Sequence, residues 1–213
     1  MRIAINEKNT LTIFREHYLK ELVKNKYNLV ACGTPRGGTS ILGILMKIFN
    51  FNLGDNIHPT VYEDMSYEGI PIDSWGEIIK SKVYEYPDYS LKIPIASKRL
   101  DIFESNLPKP VFVCIIRNPF SIAKSLVKHD PNFDKEYTSY IKGLSNALED
   151  YRGFLSQVQN IKSPFIIVEH EKISKNPDLF VREFIEVLNV KTDENTIQKA
   201  IQLISTPGYK RIE

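Results

Sequence analysis

The chain has 213 residues, of which 42% are hydrophobic and 25% charged, and its formal net charge is +2 at pH 7. These values are typical of a globular protein, and we expect residues 1–213 to form a single domain with a full-sized core. The small net charge argues against nucleic acid as a partner, so any anion binding must be local. No apolar run reaches the roughly 18 residues of a membrane span, so we predict no integral membrane segment. The first residues lack the apolar core of a signal peptide, which predicts a cytoplasmic protein.

The first predicted elements are a helix and a buried strand. Apolar side chains recur at helical spacing between residues 10 and 24, which predicts a helix there. The apolar, β-prone run at 27–32 predicts a buried strand. A glycine-rich turn follows at 33–40, and apolar positions over 41–49 predict that a second helix begins directly after it.

The glycine-rich turn has the composition of an anion cradle. Glycines let backbone N–H groups approach an oxyanion closely, and the start of a helix favours negative charge. The spacing of Gly33 and Gly38 matches the nucleotide P-loop, but Thr39 stands where that motif has lysine. Kinases and NTPases use that lysine on the β- and γ-phosphates, so its absence argues against ordinary ATP chemistry. The cation of this turn is Arg36.

Six consecutive residues of the turn resemble a known signature. They are Pro35, Arg36, Gly37, Gly38, Thr39 and Ser40. The run resembles the first motif of the sulfotransferases that use 3′-phosphoadenosine-5′-phosphosulfate (PAPS), which reads Pro-Arg-(Ser/Gly)-Gly-Thr-(Ser/Thr). The resemblance implies that PAPS is the cofactor, that adenosine 3′,5′-bisphosphate (PAP) is its product, and that residues 36–40 hold the 5′-phosphosulfate.

The segment at residues 56–67 is polar and aromatic, with little periodicity. In the resembling family an acidic residue of this segment lies close to the acceptor hydroxyl. Sulfuryl transfer needs a group that takes the proton of the acceptor, and the candidates are Glu63, His58 and Asp64, of which we prefer Glu63. The alternative is that Glu63 and Asp64 only open the next helix, where acids favour the positive end of the helix dipole.

A weaker strand is predicted at 91–96, between helices predicted at 73–82 and 99–106. Many related sequences have a lysine at the end of this strand, near the phosphosulfate. The resemblance therefore implies Lys98 as a second electrophilic group beside Arg36. The Asp and Pro that flank the lysine of the family are missing from this sequence.

A second motif follows a continuous apolar run at 110–116, which predicts a strand covered on both faces of a parallel sheet. Arg117 ends this run, and Pro119 suits the first position of a helix that we predict to reach His129. In the resembling family an arginine here and a serine eight positions later hold the 3′-phosphate of the cofactor. Arg117 and Ser125 have that spacing, and a guanidinium with a hydroxyl provides charged and neutral donors to phosphate.

The rest of the chain predicts a long amphipathic helix at 135–159, a strand at 164–168 and helices at 177–188 and 193–205. The long helix has an apolar stripe that consists of Tyr137, Ile141, Leu144, Leu148, Tyr151 and Leu155. A basic, glycine-containing loop at 206–211 resembles loops that approach the 3′-phosphate in some relatives. Finally, Cys32 and Cys114 lie in apolar runs and are predicted to be buried free thiols. No residues have metal-ligand spacing, so we predict no metal.

Alternating strands and helices predict a three-layer α/β/α domain of P-loop type with a central, mainly parallel sheet. The resemblance implies a sulfotransferase that moves a sulfuryl group from PAPS to a hydroxyl or amine of a small-molecule or carbohydrate acceptor. Two alternatives stay open, namely a P-loop phosphotransferase that uses ATP and a noncatalytic nucleotide-binding protein.

Overall fold

A central sheet with helices on both faces forms the computed structural model, which describes residues 5–129, 133–206 and 212. The strands are β1 (Ile5–Glu7), β2 (Leu11–Phe14), β3 (Asn28–Gly33), β4 (Leu91–Lys92), β5 (Pro110–Ile116) and β6 (Phe165–Glu169). The α-helices are α1 (Glu16–Leu22), α2 (Ser40–Ile48), α3 (Trp75–Glu85), α4 (Leu100–Asn106), α5 (Pro119–His129), α6 (Tyr137–Val158), α7 (His170–Lys175), α8 (Pro177–Val187) and α9 (Glu194–Ser205). The predicted three-layer α/β architecture is confirmed.

The strand order β1-β2-β6-β5-β3-β4 places β3 and β5 inside the sheet. β3 pairs in parallel with β4 and β5, and β5 pairs in parallel with β6, whereas β1 and β2 are antiparallel. Cys32 of β3 lies opposite Cys114 of β5, and both are buried free thiols, as predicted. Because parallel strands end at the same edge of a sheet, the loop after Gly33 and the residue Arg117 leave that edge side by side.

The strand β5 divides two hydrophobic cores. Val111, Val113 and Ile115 face the core formed with α2, α8 and α9, while Phe112 and Cys114 face the core formed with α3 and α4. This alternation is the period of two that a strand imposes on its side chains. Burial on both faces explains why β5 reads as a continuous apolar run.

The predicted helix at residues 10–24 is wrong, because its first half is strand β2. Leu11 and Ile13 are buried while Thr12 between them is only half-buried, which is a strand period. Arg15 then adopts a left-handed conformation with φ 61°, and α1 begins after it. The apolar positions of this segment fit both periods, so their spacing alone could not separate the two structures.

The predicted strand at 91–96 is also shorter in the structure. Pairing with β3 ends after Lys92, and a 3₁₀ helix spans Pro94–Lys98. Pro94 lacks the N–H that a continuing ladder would need, so the chain turns away from the sheet there.

The long helix α6 packs through a face other than its predicted apolar stripe. Gly143, Ala147 and Phe154 are buried. Several members of the stripe are instead exposed, namely Tyr137, Ile141, Leu148 and Leu155. A Cβ at Gly143 would lie 3.3 Å from the Cα of Ala123, so the close approach of α5 selects small residues over large ones. Among residues 5–129 and 133–206, no helix combines the length and apolarity needed to cross a bilayer.

Glu183 of α8 is a buried carboxylate that fastens the start of β2 to the helical layer. It accepts hydrogen bonds from the backbone N–H groups of Thr10 and Asn9 at 2.9 and 3.1 Å, and from the side chains of the same two residues. Burial acts to raise the pKa of Glu183, but these hydrogen bonds outweigh it and hold that pKa below its usual value.

We predict that Glu183→Gln lowers the free energy of unfolding by about 2 kcal/mol, because an amide accepts weaker hydrogen bonds than a carboxylate. Urea denaturation near neutral pH measures this loss. Since folding lowers the pKa of Glu183, the stabilisation is fully present above its unfolded value of about 4.5 and is lost as the pH falls through the folded value.

Glu186→Gln is the matched control, because Glu186 is an exposed residue of the same helix that pairs with Lys8 at 2.6 Å. The free energy of unfolding of this variant should stay within about 0.5 kcal/mol of the wild-type value. Equal losses in the two variants, or a loss for Glu183→Gln that does not change with pH, would contradict the role of Glu183.

Candidate active site

The loop between β3 and α2 borders a cleft of about 1080 Å³. The N–H of Gly37 donates to the carbonyl oxygen of Thr34 at 2.8 Å, and a Cβ at Gly37 would lie 2.6 Å from that same oxygen. Gly38 has φ +97°, a conformation that side chains disfavour. The tight turn therefore requires these two glycines, and it presents the start of α2, at Thr39 and Ser40, to the cleft.

The two predicted phosphate motifs converge at this cleft. Arg36, whose φ is 64°, donates from Nε to the hydroxyl of Ser125 at 3.2 Å. Arg117 donates from its guanidinium to the carbonyl oxygen of Arg36 at 3.0 Å, although the two residues are 81 positions apart. All three residues line the cleft. The hydroxyl of Tyr151 on α6 accepts from the N–H of Arg117 at 2.7 Å and donates to its carbonyl, which fixes the backbone of Arg117.

His170 is a neighbour of the loop that the motifs did not assign to the site. A Cβ at Gly38 would lie 2.3 Å from Cδ2 of His170, so the imidazole packs directly against the loop. Burial and the charge of Arg117 lower the pKa of His170, and Glu171 opposes them, so the ring is mainly neutral near pH 7. His129 at the end of α5 also lines the cleft. The sequence did contain a signal for His170, because this residue directly follows β6, which pairs in parallel with β5 and therefore ends at the same edge of the sheet.

In the same cleft, Glu63 pairs with Lys92 of β4. The ammonium of Lys92 lies 2.6 Å from Oε1 of Glu63, and the exposed fractions of the two side chains are 1% and 34%. Burial lowers the pKa of Lys92, and Glu63 opposes that shift by favouring the charged form. The sequence analysis missed Lys92. Its signal was a lysine within an apolar run, because Leu91 and Ile93 on either side of it belong to the core.

His58 lies beside Glu63, because the N–H of His58 donates to the carbonyl oxygen of Glu63 at 2.9 Å. Nδ1 of His58 lies 3.3 and 3.4 Å from the N–H groups of Thr60 and Val61, which donate to it. The neutral ring therefore carries its proton on Nε2. Both His58 and Glu63 line the cleft.

Asp64 has a different environment from Glu63. Its buried carboxylate accepts from the N–H of Ser66 and the hydroxyl of Tyr89, both at 2.8 Å, and lies 3.6 Å from the ammonium of Lys82. It caps the 3₁₀ helix Met65–Tyr67. The alternative that these acids open the next helix therefore describes Asp64, whereas Glu63 makes the pair with Lys92.

Lys98 lies outside the cleft. Its ammonium is 2.5 Å from Oδ1 of Asp150, in a separate depression that Thr34 and Pro35 also line. The structure therefore places most of the predicted site residues on one cleft and Lys98 elsewhere. Those that line the cleft are Arg36, Gly38, Thr39, Ser40, His58, Glu63, Asp64, Arg117 and Ser125. The basic loop predicted at 206–211 lies outside the described residues from position 207 onward.

Solved structures with the same fold are sulfotransferases. Mouse sulfotransferase SULT7A1, crystallised with PAP, aligns with a TM-score of 0.56 at 12% identity, over 94% of this chain and 74% of that one. Sulfotransferase STF9 from Mycobacterium avium gives 0.52 at 12% identity, over 87% and 70%. The sulfotransferase domain of the curacin biosynthetic pathway gives 0.50 at 16% identity, over 81% and 77%. No family model and no curated protein sequence matches the chain. The chain therefore has the sulfotransferase fold that its motifs predicted.

We predict that Gly37→Ala weakens anion binding by the loop about tenfold or more, because the new Cβ would force the loop away from Thr34 at a cost on the order of 1–3 kcal/mol. The probe is inorganic sulfate, and the measurement is the rise in melting temperature with sulfate concentration.

Gly153→Ala is the control, because a Cβ at Gly153 of α6 meets only Cγ of Lys98, at 3.9 Å. This variant should keep the sulfate response and gain about 0.5 kcal/mol from its helical alanine. A normal sulfate response in Gly37→Ala would show that the loop does not hold the anion.

Proposed function

We propose that the protein is a PAPS-dependent sulfotransferase. The observation that carries the proposal is the convergence of Arg36, Arg117 and Ser125 on one cleft within a sulfotransferase fold. Residues 36–40 would hold the 5′-phosphosulfate, and Arg117 with Ser125 would hold the 3′-phosphate. The fold neighbour that was crystallised with PAP supports this choice of cofactor.

The donor set of the cleft suits a nucleotide that carries phosphate groups at two positions. Two guanidinium groups provide charged donors, Ser125 provides a hydroxyl, and the start of α2 provides backbone N–H groups. When bound, PAPS supplies an activated sulfuryl group on a phosphate that leaves readily. Thr39 stands in the place of the P-loop lysine, which disfavours the alternative of ATP-dependent phosphoryl transfer.

Charge stabilisation and proton transfer fall to different side chains. Arg36, the start of α2 and Lys92 are positive groups that line one cleft, so they would stabilise negative charge that develops there. Glu63 would accept the proton of the acceptor, because its carboxylate is partly exposed to the cleft and the Lys92 ammonium orients it.

The other two candidate bases are less suited to that task. His58 has its acceptor nitrogen Nδ1 turned to the backbone of its own loop and presents an N–H at Nε2 instead. The carboxylate of Asp64 is buried and already accepts two hydrogen bonds. Both residues would position the segment that carries Glu63.

We predict that Arg117→Ala weakens PAP binding roughly 30-fold or more, because removing one partner of a phosphate contact costs about 2–5 kcal/mol. Calorimetric titration measures the affinity, with ADP and ATP plus Mg²⁺ run at the same salt concentration. The wild-type protein should prefer PAP over both. Arg152→Ala is the control, because Arg152 is an exposed arginine of α6 that lies 3.6 Å from Glu149. A preference for ATP, or equal PAP affinity in the two variants, would contradict the proposal.

We predict that Glu63→Gln reduces turnover about 10²–10⁴-fold while PAP affinity stays within about twofold, since the amide cannot take a proton. Release of PAP from PAPS measures turnover with a panel of alcohols, phenols, amines and monosaccharides. Glu68→Gln is the control, because Glu68 is an exposed glutamate that lines the same cleft. Turnover that survives Glu63→Gln would remove Glu63 as the base. A protein that binds PAP but turns over no acceptor in wild-type form would be a noncatalytic nucleotide-binding protein.

A further inference from the structure

Six apolar side chains line the cleft in addition to its charged and polar groups. These are Val61, Met65, Ile70, Trp75, Ile93 and Ile95. Ile70 and Ile95 are 41% and 39% exposed, and both border the cleft. Isoleucine is usually buried, so two half-exposed isoleucines in one cleft form a surface that a bound apolar group would cover.

This apolar wall is held in place by its own packing. Trp75 is buried and donates from its indole N–H to the carbonyl oxygen of Ile70 at 3.0 Å. Its ring meets that of Tyr67 edge to face, with centroids 4.9 Å apart. Ile95 lies on the 3₁₀ helix Pro94–Lys98, directly after β4. The wall is therefore formed before any ligand binds, which favours affinity.

The side chains of Asp64, Tyr67 and Tyr89 beside this wall contact one another. Tyr89 donates its hydroxyl proton to Asp64 at 2.8 Å, and its oxygen lies 3.4 Å from the hydroxyl oxygen of Tyr67. Asp64 also accepts from the backbone N–H of Ser66. A sugar would bring several hydroxyl groups that lose water, and the apolar side chains of this wall offer them no hydrogen-bond partners, which is costly. A hydrocarbon body would instead remove apolar surface from water.

We infer, on the premise of the proposed sulfotransferase activity, that the acceptor is a hydrocarbon that carries a single hydroxyl group. Its hydroxyl lies at Glu63 and Lys92, and its apolar body lies against Ile70 and Ile95. In the transfer the acceptor O–H bond breaks, the proton passes to Glu63, and the oxygen forms a bond to sulfur. The bond from sulfur to the 5′-phosphate oxygen breaks, and its electron pair leaves with PAP.

The test is a homologous series of primary alcohols from 1-butanol to 1-decanol, with PAPS as donor. We expect kcat/KM to rise about fourfold with each added methylene until the cleft is filled. Glucose and galactose should give no PAP release above the rate without acceptor. A flat dependence on chain length, or preferred sulfation of the monosaccharides, would overturn the inference.

Ile95→Asn and Ile70→Asn should each reduce kcat/KM for 1-decanol about tenfold. PAP affinity should stay within about twofold of the wild-type value, because neither isoleucine belongs to the proposed nucleotide site. Leu148→Asn is the matched control, because Leu148 is a 52% exposed apolar residue of α6 that does not line the cleft. If all three variants lose 1-decanol activity equally, the wall does not select the acceptor.

Failure of this inference can be separated from failure of the sulfotransferase proposal. Tight PAP binding with sulfation of sugars would overturn the acceptor class alone, whereas absence of PAP binding would overturn the proposed function. Saturation-transfer NMR with 1-decanol, without PAPS, tests the apolar wall independently of activity. Binding that Ile95→Asn weakens and Leu148→Asn leaves intact would support the wall, and absence of binding would overturn it.

Discussion

Parallel pairing of β3 with β5 is the constraint on which both proposed anion-binding groups depend. Its register sets Gly33 opposite Ile115, so the loop and Arg117 emerge from neighbouring strands, about 4.8 Å apart. At this spacing the guanidinium of Arg117 reaches the carbonyl oxygen of Arg36, and Ser125 on the following helix reaches Nε of Arg36. A slip of one residue would turn every side chain of β5 to the opposite core and break this arrangement.

Lys92 shows a different constraint, because burying an ammonium group opposes stability. Desolvation of a charge costs several kcal/mol, and an ion pair offsets it only in part. Burial lowers the pKa of Lys92 because it disfavours the charged ammonium, and the contact with Glu63 at 2.6 Å partly offsets this effect by stabilising that charge. Its chain neighbours Leu91 and Ile93 are buried apolar residues, so an apolar side chain would pack here without the penalty. A buried charge at this position therefore points to use within the cleft.

Local composition accounts for the features that the sequence could predict. The buried strands, the glycine turn and the spacing of Arg117 and Ser125 are all encoded within short segments. The features that the sequence did not predict depend on tertiary packing. The apolar positions of residues 10–24 fit both the helical and the strand period, and the left-handed conformation of Arg15 separates β2 from α1. The buried face of α6 carries glycine and alanine because α5 packs closely against it. Lys92 became visible as a cleft residue only once β4 was placed beside β3. Lys98, which the resemblance placed near the phosphosulfate, instead pairs with Asp150 outside the cleft.

The separation of contacting residues along the chain has a consequence for biosynthesis. Thr10 meets Glu183 across 173 residues, and Arg36 meets Arg117 across 81. Closing such long loops is entropically costly, and chains rich in distant contacts fold slowly. A nascent chain that has emerged only as far as α2 would carry the glycine motif without the neighbouring strands that order it. The proposed anion site would thus exist only in the completed sheet, and a ligand bound there would protect the whole fold against unfolding and proteolysis.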